Sequence, residues 1–318
     1  MKPYLTALVA MLAALPAAAQ EALRTITDHA GYEVSYPAEP QRIVSLHDWT
    51  VTVMAYELGA NLVGSTGRMS GDGSYFVRSG RELYGLTFDD IALASVHGQL
   101  DMERIASLHP DLIIGNLGDT LEYRDQLATI APTIIFDPMN GRTAMENYRD
   151  FAGWVNRQET FDALLARYRA RIDALRPEIA GAGGHPSYVA MLPNPENGSI
   201  RLFRTYGAQS QVLEDLGFRP LPVVGEVPEG RQDANFSPEI IGQMNADWIF
   251  TTHISDRGED EAAMLAALEQ IAPGATGFLD AVAAGRFHSS DRFHVYPMTF
   301  RAMDYFLDEL AGLVQARN

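Results

Sequence analysis

Short β-branched runs alternate with helical patterns along this chain, and they do so twice, on either side of one long helical stretch. No single motif constrains the fold as much. In the first set the candidate strands are Arg42 to Leu46, Asn61 to Gly64, Asp111 to Gly115 and Thr133 to Asp137. Helical patterns at Thr50 to Leu58 and Asp101 to Leu108 lie between them, which predicts parallel βαβ units rather than a sandwich. From Arg142 to Ile179, Tyr148, Phe151, Val155, Leu164, Leu165, Tyr168, Ile172 and Leu175 recur at three-to-four spacing with arginines between them. That periodicity predicts helix, and a glycine-rich run ending in His185-Pro186 stops it. The second set has candidate strands Ser187 to Leu192, Ile200 to Phe203, Trp248 to Thr252 and Phe293 to Tyr296. Its helices fit Gln209 to Leu216, Pro238 to Asn245, Glu261 to Ile271 and Thr299 to Ala316.

The two sets echo each other. Met102-Glu103-Arg104-Ile105 runs into Asp111-Leu112-Ile113-Ile114, and Pro238-Glu239-Ile240-Ile241 runs into Asp247-Trp248-Ile249-Phe250. In each a Glu opens a helix that passes through an Asp into an apolar strand. The expected fold is α/β: two parallel-sheet lobes joined by a long helical linker, with a ligand cleft where the strand C-terminal ends meet. The boundaries read as a signal peptide over 1–19, an N-terminal α/β lobe over 20–141, a linking helical segment over 142–181 and a C-terminal α/β lobe over 182–318.

The start of the chain sets its compartment. Lys2 precedes an apolar run from Leu5 to Leu15 and then Pro16-Ala17-Ala18-Ala19, the pattern of a secretory signal peptide cut after Ala19. The run is shorter than the roughly 20 apolar residues a bilayer core demands. With no Cys in the chain the processing site cannot carry a lipid, so the expectation is a free periplasmic protein, not a lipoprotein. The missing Cys also excludes disulfides, thiolate metal sites and Cys nucleophiles. Lys2 is the only lysine, so Schiff-base enzymes, Walker-type loops and kinases lack their ammonium. A formal charge of -17 makes nucleic acid a poor partner. Ser45-Leu46-His47-Asp48 holds the residue types of a hydrolase triad, but neighbours on one strand point to opposite faces. An enzyme is not expected.

Several stretches resemble the periplasmic substrate-binding proteins of iron-siderophore and cobalamin ABC importers. Arg42-Ile43-Val44-Ser45-Leu46 followed by Tyr56-Glu57-Leu58-Gly59-Ala60-Asn61-Leu62-Val63-Gly64 is similar to that family's opening strand, helix and second strand. Gly98 and Asp101 through His109-Pro110-Asp111-Leu112-Ile113-Ile114 match its helix, Pro-Asp and apolar strand. Ile130-Ala131-Pro132, Val212 to Gly217 and the segment from Ala281-Val282 to Val295 extend the likeness across nearly the whole chain. The resemblance implies a single helical segment between lobes that close only slightly. It further implies a monomer that hands a small-molecule iron chelate to a permease dimer in the inner membrane, with a ferric siderophore as transported ligand and no covalently bound cofactor.

Site residues follow from that expectation. A ferric siderophore is often an anionic chelate, and arginine offers a fixed fork of donors that stays charged. Arg78, Arg204, Arg231 and Arg301 lie near predicted strand ends, whereas Arg167, Arg169 and Arg171 read as the solvated face of the linking helix. His47 and Trp49 follow the first strand, and Tyr75 sits in a Gly-rich loop. His97 occupies a position where hydroxamate-binding relatives carry a ligand-contacting basic residue. Tyr206 follows Arg204, His253 ends a strand and Tyr296 ends the last one. If the siderophore leaves iron positions open, His253 and Tyr296 are the side chains that could fill them. Glu103 and Glu239 each suit the first turn of a helix, and by resemblance each docks on permease arginines. Haem, cobalamin and direct metal-ion binding through His47, His97 and His253 are the alternative cargoes.

Overall fold

The computed structural model describes residues 22–180 and 184–315. The signal-peptide reading of residues 1–19 therefore lies outside the described residues. Within them, no helix is long and apolar enough to cross a membrane.

Two α/β sheets form the molecule. An antiparallel hairpin of β1 (Leu23–Thr27) and β2 (Glu33–Pro37) precedes the first. At its turn Asp28 accepts from the Ala30 and Tyr32 N–H groups and, through its other oxygen, from Ile135 N, which ties the hairpin to the lobe. The first sheet contains β3 (Ile43–Ser45), β4 (Leu62–Met69), β5 (Tyr75–Phe76), β6 (Ala92–Val96), β7 (Leu112–Asn116) and β8 (Thr133–Phe136). Every pairing in it is parallel except the edge pair β4–β5. Its strands β3 and β8 are buried along their whole length and β7 along all but its last residue, and Ile43, Val44, Leu112, Ile113, Ile114 and Ile134 supply the apolar side chains that burial on both faces requires.

The second sheet is built from β9 (Ser187–Asn194), β10 (Ser199–Phe203), β11 (Arg219–Pro220), β12 (Asp233–Phe236), β13 (Trp248–His253) and β14 (Phe287–Asp291). Strands β11, β9, β13 and β14 pair in parallel, and β10 and β12 extend them antiparallel. The sequence placed its last strand at Phe293 to Tyr296. The strand is instead Phe287–Asp291, and Arg292–Val295 is one helical turn. Phe-His-Ser-Ser-Asp carries one large apolar residue and gives no alternation, so its pairing to β13 is invisible in the local pattern.

Between the sheets run the Ala144–Trp154 and Gln158–Ala180 helices. Thr143 and Glu146 close a capping box on the first, and Asn156, at φ +54°, lies in the break between them. Against the second packs the C-terminal Phe300–Gln315 helix. The rings of Tyr148, Phe161 and Phe300 meet there at centroid distances of 5.3 to 5.4 Å. This largest core is continuous from Ile43 and Met54 of the first lobe to Phe250 and Phe306 of the second. A separate core fills the other face of the second sheet, around Val189, Ile249 and Leu268.

The candidate cleft between the lobes

The first wall of the cleft grows from the C-terminal ends of β3, β4, β6 and β7. After Ser45 the chain turns through His47, Asp48 and Trp49 before the Val51–Glu57 helix. The Asp48 carboxylate is fully buried and accepts from Arg78 Nε and Nη2, both at 2.8 Å. Arg68 Nε stands 3.5 Å from the same carboxylate. Burial pushes the Asp48 carboxyl up, but the Arg78 hydrogen bonds and charge outweigh it and hold the group below the usual carboxylate range. The Arg78 guanidinium lies 3.9 Å over the Trp49 ring, and Trp49 Nε1 donates to Ser79 Oγ at 3.0 Å. This is a cation–π contact inside a charged network.

Beside it, His47 Nε2 and His97 Nδ1 stand 3.9 and 3.7 Å from Asp119 Oδ2. Burial lowers the His47 pKa to about 4 despite the nearby carboxylates, and burial with Arg68 lowers that of His97. Both rings are neutral at pH 7.

The second wall is aromatic. The Tyr296 ring lies 4.0 Å from Trp49, across the cleft. Tyr206 meets Tyr296 edge-on at 5.0 Å, and the Tyr206 hydroxyl is 2.9 Å from Thr252 Oγ1, to which Arg292 Nε also donates at 3.4 Å. The Tyr296 hydroxyl donates to Gln232 Oε1 at 3.0 Å. Gly207, at φ +50°, opens the next helix against the Tyr296 carbonyl, which a Cβ there would overlap. Arg201 forms a bidentate pair with Asp233 at 2.7 Å and lies close enough to Tyr206 and Tyr296 to feel both hydroxyls. At the rim, Arg81 of the first lobe pairs with Asp256 of the second. A hollow of about 320 Å³ opens there between Met69, Phe76, Arg257 and Phe293.

The structure thus brings Trp49 and Arg78 together with Tyr206 and Tyr296, with His47 and His97 beside them. It sends other expected residues elsewhere. Tyr75 lines a hollow with Glu103 and Leu100, while the next residue, Phe76, turns to the cleft side and meets Phe293, as alternation along a strand dictates. Arg204 donates to the Val227 carbonyl. Arg231 and Arg301 are exposed, and the Arg301 peptide N–H bonds Glu57. His253 Nδ1 is 2.9 Å from Ser289 Oγ, so His47, His97 and His253 do not converge. Among the described residues no group of three or more His, Cys, Asp or Glu is placed to hold a metal ion. Glu103 and Glu239 are exposed, each in the first turn of its helix. Sequence reasoning passed over Arg68, Asp119, Arg201, Gln232, Arg292 and Phe293, weighed Asp48 only as a triad member, and paired Phe76 with Tyr75 in one loop without separating their directions. Arg292 directly follows β14, and Asp48 and Asp119 lie three residues beyond the ends of β3 and β7, the one signal that could have found them.

Two facing α/β lobes with a polar, aromatic cleft suit the binding of a small molecule between them. Residues 43–291 match the model of the periplasmic binding protein family, and the chain belongs to that family. It is 27% identical over 298 residues to the "Probable siderophore-binding lipoprotein YfiY" of Bacillus subtilis, a match covering 90% of this chain and 86% of that one. Its fold matches Staphylococcus aureus SirA complexed with staphyloferrin B, with a TM-score of 0.71, 20% identity and coverage of 90% and 97% of the two chains. It also matches the FhuD protein from S. pseudintermedius, with a TM-score of 0.72, 19% identity and coverage of 92% and 98%.

One expectation is corrected by these comparisons. The B. subtilis relative is named a probable siderophore-binding lipoprotein, which overturns the expectation that a protein of this kind is not a lipoprotein. Its premise, the missing Cys, addresses only a thioether-linked lipid at a processing site.

Proposed function

We propose that this protein captures a ferric siderophore, an anionic iron chelate, between its lobes and delivers it to an ABC-type permease. The observation that carries this reading is the Trp49–Tyr296 pair across the cleft, with the guanidinium groups of Arg201 and Arg292 in the wall around Tyr206 and Tyr296. Aromatic faces suit flat chelating rings, and arginines replace water around the anionic oxygens of a chelate. The names of the relatives agree: one is called siderophore-binding and another is complexed with staphyloferrin B. Glu103 and Glu239 are exposed and outside the cleft, which suits a role in docking to the permease.

The test is a titration of ferric staphyloferrin B, ferrioxamine B, haem, cobalamin and free Fe(III), followed by tryptophan fluorescence, with the Trp49→Phe variant as reference, and by visible absorbance. Saturable quenching by ferric staphyloferrin B, an anionic chelate, supports the reading, and a preference for the cationic ferric ferrioxamine B overturns its anionic part. Tighter binding of haem, cobalamin or the free ion overturns it. Glu103→Ala and Glu239→Ala should lower uptake in cells while leaving affinity near wild type.

A further inference from the structure

Glu57 ends the Val51–Glu57 helix of the first lobe, and its carboxylate is enclosed by donors from three parts of the molecule. Tyr84 of the same lobe donates to Oε1 at 3.0 Å. Tyr148 of the linking helices donates to Oε2 at 2.6 Å. The peptide N–H groups of Phe300 and Arg301, at the start of the second lobe's C-terminal helix, donate at 2.8 and 2.7 Å. A helix start leaves its first N–H groups without intrahelical partners. Thr299 serves the Ala302 N–H, and the two before it are served from the other lobe.

Position makes this contact matter to the cleft. Trp49 lies two residues before the Val51–Glu57 helix and Glu57 closes it, so a two-turn helix of about 10 Å, entered through Thr50, separates them. On the facing lobe Tyr296 lies four residues before Phe300. The Trp49–Tyr296 and Glu57–Phe300 contacts are therefore two points on one inter-lobe seam that runs on to Phe76–Phe293 and Arg81–Asp256 at the rim. The geometry points to Glu57 as a positioning residue that sets the spacing of the two cleft walls without touching cargo. This rests on the proposed capture function for its consequence in affinity, but not for its structural content.

The chain has no cysteine of its own, so spin labels can be placed at Asp125→Cys and Glu196→Cys, exposed sites on the two lobes, and their separation measured by pulsed electron resonance without cargo. Glu57→Gln sets an amide NH₂ against converging donors and should broaden the distance distribution; Glu57→Asp, which keeps the charge but shortens the reach, should broaden it less. Asp28→Asn is the control, because Asp28 is also a buried carboxylate binding backbone N–H groups, all within one lobe. It should lower the melting temperature and leave the distance distribution as in the parent. Affinity for ferric staphyloferrin B or ferrioxamine B should fall about tenfold in Glu57→Gln and stay within twofold in Asp28→Asn. Unchanged distances in both Glu57 variants, or equal broadening in Asp28→Asn, would overturn the role. If neither chelate binds the parent, the capture reading fails while the distances still decide the role of Glu57.

Discussion

The two walls of the cleft solve the same problem differently. In the first, a fully buried carboxylate, Asp48, gathers Arg78 and Arg68, and two neutral histidines share Asp119. In the second, tyrosine rings and hydroxyls dominate, and the ion pair nearest to them, Arg201–Asp233, is partly in water. The side chain of Arg78 is 12% exposed and that of Arg201 is 43% exposed. Charges removed from water must be paired to be tolerated, whereas exposed ones are screened and contribute little. The first wall is thus a prebuilt network that belongs to the fold, and the second is where arginine remains available to a ligand.

The largest effect should come from breaking the buried network. Asp48→Ala leaves Arg78 buried without its partner and should cost about 3 to 5 kcal/mol of stability in urea unfolding. Asp233→Ala in the other wall should cost about 1 kcal/mol or less. Equal costs would erase the distinction.

Next come two histidines that titrate in opposite directions. His47, in the first lobe, is held neutral by burial with a pKa of about 4. Its folded value lies below the unfolded one, so stability is full above about pH 6.5 and falls as pH drops toward 4. In the second lobe, His288 sits between Glu261 and Glu309; burial opposes its charge, but the two carboxylates win and raise its pKa to about 9. Its contribution is full below about pH 6.5 and is lost as pH rises through 9. Each shift corresponds to roughly 3 kcal/mol. In a pH series of melting curves, His47→Asn should flatten the acid limb and His288→Gln the alkaline one. The same response from both variants would contradict the assignment.

Cargo affinity sharpens the comparison further. Arg201→Ala and Arg292→Ala should each weaken ferric chelate binding by about tenfold, the loss of one charged hydrogen bond of roughly 1.5 kcal/mol. Exposed Arg231, in its loop, should matter less. If Arg231→Ala weakens titrations as much as the other two, the second wall extends further than the aromatic seam. The smallest effect belongs to Arg167→Ala on the Gln158–Ala180 helix. Its pair with Asp304 is exposed on the Arg side, so stability should change by about 0.5 kcal/mol or less.

Much of the architecture could be read from local pattern, because hydrophobic period and helix starts are local properties. The Glu261–Ile271 helix falls where its spacing placed it, and the paired Glu-helix, Asp, apolar-strand segments mark both lobes. The Pro238 segment shows a limit: Pro at its start suits a helix, but only the 3₁₀ turn Pro238–Gln243 forms. Strand β14 escaped because its residues do not announce a buried face, and the β1–β2 hairpin was passed over although Val34 and Tyr36 alternate with Glu33 and Ser35. Site residues were harder still. Asp48 meets Arg78 across 30 residues and Glu57 meets Phe300 across 243, and no local pattern encodes such partners. Arg78 and Arg204 illustrate this: the same residue type near predicted strand ends binds a cleft carboxylate in one case and a loop carbonyl in the other.

The continuous core through the linking helices has a consequence for how the molecule melts. Two domains separated by a thin linker unfold as separate units, each with its own transition. Here Tyr148, Phe161 and Phe300 fill one apolar volume that reaches into both sheets, so each half loses its share of that volume when the other unravels and keeps only the smaller core on its far face. Calorimetry should record a single cooperative transition with matching calorimetric and van't Hoff enthalpies, and a fragment cut on either side of the linking helices should not fold alone.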